Sequence, residues 1–189
     1  MPATCALTKG RAIPCRDGIG GIRAIYLYEF DGATNTIASS AVTDIEGVST
    51  IRKYALHRGA GSFVETINAT ADTGGLFYTQ TLTVKFPKLT AADQNELKLI
   101  AANRLCIGIE LNEITDSGKQ IVLLAGTQNG MMVSGGSNSS GGALSEMNGY
   151  EWTFTAEEGY PCPIVADYTT APFDNNAFNS GSAITIDLS

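Results

Sequence analysis

Residues 75–104 read GLFYTQTLTVKFPKLTAADQNELKLIAANR, and their periodicity decides the fold. In the first half Leu76, Tyr78, Gln80, Leu82, Val84 and Phe86 alternate with Phe77, Thr79, Thr81, Thr83 and Lys85. Period two in a stretch rich in β-branched and aromatic residues predicts a β-strand with one buried face. Pro87 lacks a backbone donor and stops it. Thr90 followed by Asp93 predicts a helix start, with the acid where a capping box usually carries Glu or Gln. Leu97, Ile100, Ala101 and then Arg104/Leu105 recur at helical spacing, so a helix over 90–104 is expected to lay one apolar stripe on a sheet.

Working outward, IRAIYLYEF (22–30) is apolar on both faces and predicts a central strand. SFVETINA (62–69) and the turn before Gly75 make 62–86 a hairpin. LCIGIELNEI (105–114) and KQIVLLAGT (119–127), joined at Asp116-Ser-Gly118, predict a second hairpin. In NGYEWTFTAEE (148–158), Tyr150, Trp152 and Phe154 are expected inward, with Glu151, Thr153, Thr155 and Glu157 outward. Residues 33–58 read as a hairpin or flap that the core does not need. The run GGSNSSGG (135–142) reads as a flexible loop. About eight strands and one helix predict a mainly β fold: two packed antiparallel sheets, or an open barrel, with one flanking α-helix. The core domain is expected over 22–164, between an N-terminal arm (1–21) and a C-terminal arm (165–189) that look too polar to fold alone.

The chain of 189 residues suffices for one core, and 16% charged residues with 21 glycines is a strand-and-turn composition. A net charge of −7 argues against a nucleic-acid grip, which needs clustered Lys and Arg. No apolar run approaches the roughly 18–20 residues of a membrane span, so no membrane partner is expected. The N-terminus has no apolar signal core, which predicts synthesis in a cytoplasm.

Chemistry is sparse. The single histidine, His57, has no nucleophile signature near it. Glu110 with Glu113, or Glu157 with Glu158, would have to face one cleft to act as a carboxylate pair, and Glu157 and Glu158 point opposite ways on a strand. Asp72, Asp116 and Asp174 stand by turn residues without the spacing of a calcium loop. The four cysteines show no zinc spacing. Cys106 is expected as a buried apolar residue; Cys5 and Cys15 would close a short N-terminal loop in oxidising surroundings and stay thiols otherwise. No cofactor, metal or catalytic residue is expected, and the protein is read as a non-enzyme.

The order of pieces resembles the tail tube proteins of tailed bacteriophages. The resemblance rests on GGIRAIYLYEF, a variable hairpin, FVETINAT, FYTQTLTVKFPKL…LKLIAANRL and the late NGYEWTFTAEE, over roughly residues 20–160. It is nearest to tube proteins from phages of Bacteroidetes-type hosts. It implies a ring-forming β-sandwich or barrel subunit, typically hexameric, whose rings stack into a hollow tube for DNA passage. The implied partners are other copies of the chain, further tail or neck proteins and transiently passing DNA. The implied location is the virion tail, after synthesis in a bacterial cytoplasm. Under that reading Thr79, Thr81, Thr83, Glu151, Thr153, Thr155 and Glu157 are the expected channel-facing set, since a Thr- and Glu-lined wall does not trap phosphates. The alternatives are another ring-forming virion protein (neck, terminator or baseplate adaptor) and, further off, a carbohydrate-binding β-sandwich.

Overall fold

The computed structural model describes residues 10–11, 13, 18–70, 72, 74–88, 90–115, 117–165, 168–175 and 177–188. The fold is mainly β, with antiparallel sheets and, among the described residues, one α-helix. Its first sheet is built around β1 (Ile22–Glu29), whose residues Ala24 to Tyr28 are buried on both faces. β4 (Thr50–Ala55) flanks β1 on one side and β7 (Leu105–Ile114) on the other, both antiparallel. β8 (Gln120–Ala125) continues from β7, and β11 (Thr185–Asp187) adds a short parallel strand beyond β4.

The second sheet runs in the order β5 (Gly61–Thr70), β6 (Gly75–Pro87), β10 (Gly149–Glu158), β9 (Met132–Ser139). The opening stretch is therefore β6, thirteen residues long and hydrogen-bonded on both sides. Between the sheets, Ile25, Leu27, Ile107 and Ile109 pack with Leu82, Val84, Tyr150 and Phe154 in one core. Helix α1 (Ala91–Ala102) adds Leu97 and Ile100 to that core. Its start is as expected: Thr90 accepts the Asp93 amide at 3.1 Å, and its hydroxyl donates to the Asp93 carboxylate at 2.6 Å. Leu105, counted in the helical stripe by spacing, is instead the first residue of β7.

The outer face of the first sheet carries a second core, and here the structure departs from expectation. Segment 33–58 is not dispensable. β2 (Thr34–Ala38) and β3 (Ala41–Glu46) form a hairpin, closed by Ser39 and Ser40 at positive φ, and Val42 and Ile45 are buried against the sheet. β4 is a sheet strand with Ile51 fully buried. The C-terminal segment is ordered by its own subunit: Val165, Tyr168, Phe173 and Phe178 cover Tyr26, Cys106 and Leu124. Aromatic residues spaced far apart in a polar tail give no period, yet each finds a place on a sheet that is apolar on both sides.

Run 135–142 is also corrected, since residues 135–139 belong to β9 and pair with β10. A Cβ on Gly136 would stand 2.9 Å from the Glu151 carbonyl and 3.2 Å from the Trp152 ring, so the strand needs glycine there.

Candidate functional site

The seven polar residues singled out on β6 and β10 stand together. Glu157 lies opposite Thr79, Thr155 opposite Thr81, Thr153 opposite Thr83, and Glu151 opposite Lys85. Directly opposed residues of an antiparallel pair share a face, and their odd numbering sets them opposite the buried Leu82, Val84 and Phe154. Thr83 and Thr153 hydroxyls are 3.4 Å apart, and Lys85 pairs with Glu151 at 3.4 Å. Ser62, Val64 and Thr66 extend the face across β5, and Gly135 and Ser137 across β9. The result is a four-strand surface rich in hydroxyls. Among the described residues neither β5 nor β9 pairs with a further strand, so both sides of this sheet end in free backbone donors and acceptors.

The opposite face hides polar groups that pattern reading missed. Gln80 sits among apolar neighbours, accepting the Gly126 amide at 3.0 Å and donating to Glu65 at 3.3 Å. Glu65 also accepts the Cys162 amide at 2.7 Å. Buried Glu158 accepts the amides of Gln128 and Asn129 at 2.8 and 3.1 Å. Burial pushes its carboxyl above the ordinary range, against the pull of those two amides. These three side chains pin the β8–β9 loop and residue 162 to the second sheet. The signal in sequence was Gln80 itself, a polar residue in the middle of an apolar stripe.

The residues weighed for chemistry do not converge. Glu157 is exposed while Glu158 is buried on the other face, as the strand geometry requires. Glu110 is buried on the outer face of the first sheet among Tyr26, Lys53 and Arg23. Asp174 caps a turn through the amides of residues 169–171. Among the described residues no three acidic, histidine or cysteine side chains gather as a metal site. Cys106 is fully buried, and Cys106 and Cys162 are free thiols. Cys5, Cys15 and Asp116 lie outside the described residues.

His57 does line a cleft, of about 370 Å³, where α1 meets the ends of β4 and β6. Tyr54, Phe86, Leu97 and Tyr150 form its apolar walls, and Lys88, Asp93 and Glu96 bring charge to it. At the other end of the same sheet the β5–β6 hairpin carries uncovered apolar side chains, Ile67, Leu76 and Phe77. Comparison with protein-family models, with curated proteins and with solved structures finds no match to this chain.

Proposed function

We propose that this chain is a structural virion protein, the self-assembling subunit of a phage tail tube. One observation carries the reading: among the described residues the β5-β6-β10-β9 sheet has an unpaired edge on each side and a hydroxyl-rich face turned away from its core. If β9 of one copy pairs with β5 of the next, the edges vanish and the polar faces line one continuous barrel. Such a contact is heterologous, so it closes into a ring when the rotation permits. Glu151 and Glu157 stand among threonines on that face, with Lys85 held by Glu151. A wall of that composition offers DNA little to bind and lets it slide. The hexameric ring, the neck and tail partners and the virion location follow from the resemblance to tail tube proteins and belong to this proposal.

Negative-stain microscopy of the concentrated protein, beside sedimentation velocity, tests the reading. Stacked rings or open-ended tubes with a central channel are expected. Single rings that never stack would point to a neck or terminator adaptor instead. A monodisperse monomer at every concentration would remove both.

A further inference from the structure

The β8–β9 loop is fastened over a buried acid. Residues 126–131 link β8 to β9, and Gly126 (φ 72°) and Gly130 (φ 78°) both take the left-handed conformation that favours glycine. The two ends of the loop are fixed by neutral groups. The Gly126 amide donates to Gln80 at 3.0 Å, and Met131 exchanges backbone hydrogen bonds with Leu105 at 2.7 and 2.9 Å. The middle is held differently. The amides of Gln128 and Asn129 both go to Glu158, one to each carboxylate oxygen. Beside them the Gln128 side chain accepts the Gly159 amide at 2.6 Å, and Thr127 donates to the Tyr160 hydroxyl at 3.2 Å.

Glu158 is 1% exposed and, among the described residues, forms no ion pair. An ionised carboxylate has about four acceptor sites, and the two loop amides fill one on each oxygen. The titratable groups facing it come from every element packed around it. Glu65 stands on β5, Tyr78 lies directly across on β6, and Tyr160 and Cys162 follow β10. From β7 the Cys106 thiol donates to the Gly126 carbonyl at 3.2 Å. None of these groups carries a positive charge, so nothing offsets the cost of burying a negative one.

We infer that Thr127, Gln128 and Asn129 form a strap, hinged at Gly126 and Gly130, that closes over Glu158 while this carboxyl holds a proton and opens when it ionises. Protonation weakens the bonds from the two amides but removes the buried charge. Burial makes the second effect the larger, since it holds the carboxyl above its ordinary range. The folded protein therefore keeps a proton that the unfolded chain releases. The stabilisation is complete below the unfolded value and is lost as pH rises through the folded one. Opening admits water to the carboxylate and gives up the contacts to Gly159 and Tyr160, while Gly126 and Met131 stay fixed. The strap needs only one copy of the chain and stands apart from the tube reading.

The test is amide hydrogen exchange on the full-length protein between pH 4 and pH 8, corrected for the intrinsic rate at each pH. Protection of the Gln128 and Asn129 amides is expected to fall by at least about threefold as pH rises, with Gly126 and Met131 unchanged. In Glu158→Gln, neutral at every pH, protection of the same two amides should stay flat. Constant protection in the wild type, a fall shared equally by Gly126 and Met131, or a fall that persists in Glu158→Gln overturns the strap. The ¹³C shift of the Glu158 carboxyl gives a second reading on the wild type, with no variant needed. Its midpoint should coincide with that of the exchange step, and a midpoint elsewhere also overturns the inference.

Discussion

The hydroxyl of Tyr26 donates to the carboxylate of Glu110 at 2.8 Å, beneath the C-terminal segment on the outer face of the first sheet. Lys53 lies 3.5 Å and Arg23 3.8 Å from the same carboxylate, and the Lys53 ammonium stands 5.0 Å from the centre of the Tyr26 ring. Burial, and then the bond to Glu110, push the Tyr26 phenol well above its ordinary range, so it remains a donor. Removing the carboxylate strands a buried hydroxyl, whereas Lys53 and Arg23 retain contact with water. Glu110→Ala is therefore expected to cost about 2–3 kcal/mol, and Glu110→Gln less, because an amide oxygen still accepts from Tyr26. Urea unfolding of the two variants beside the wild type checks the order.

At Gly108 the tail lies close against the sheet. A Cβ there would stand 2.6 Å from Phe173 Cζ and 3.3 Å from Tyr26 Cβ. Gly108→Ala must displace the Phe173 ring, at an expected cost of about 1–3 kcal/mol. Phe173→Ala opens a cavity in the same core and is expected to cost about 3–5 kcal/mol. In both variants limited proteolysis should cut first within 165–188; first cuts elsewhere would contradict the docking of the tail.

Asp174 makes the tail sensitive to acid. Partial burial would raise its pKa, but the amides of Ala171, Thr169 and Thr170 and the Thr169 hydroxyl outweigh that and lower it from 3.8 to about 2. A depressed folded-state value means the stabilisation is complete above the unfolded value and is lost as pH falls toward 2. Wild type and Asp174→Asn should differ in stability by a constant amount above pH 5, with the gap closing between pH 4 and 2. A gap that does not narrow on acidification would show that the carboxylate is not the group that matters.

Two thiols are expected to be inert. Burial pushes Cys106 up to about 11, and burial with the nearby Glu65 and Glu158 carboxylates raises Cys162 further. The thiolate is the reacting species, so alkylation of both at pH 8 should run at least about a hundredfold slower in the native protein than in urea. Peptide mapping of iodoacetamide-treated protein reads each cysteine separately.

Much of the architecture was legible because it is local. The doubly apolar run 22–30 became the central strand β1, and residues 62–86 became the β5–β6 hairpin. Thr90 caps α1, and the polar residues of β6 and β10 share a face by alternation alone. Other parts were not legible, for different reasons. β9 is held by backbone hydrogen bonds to β10, which no side chain advertises, and its glycines answer to Trp152 rather than to flexibility. β3 and the tail hold single apolar residues whose value depends on a sheet face distant in the chain. Gln80 and Glu158 broke the pattern at positions where only the β8–β9 loop explains them.

By itself the sequence determined the long strands with a clear period, where the helix begins and which of their side chains share a face, since these follow from backbone period and from caps within a few residues. Only the tertiary structure decided strand order, the covering of both faces of the first sheet, the two edges of the second that stay unpaired among the described residues, and the set of residues that meets Tyr150 in the cleft. Those depend on burying surfaces brought together from distant segments, and the periodicity of any one segment carries no record of its partner.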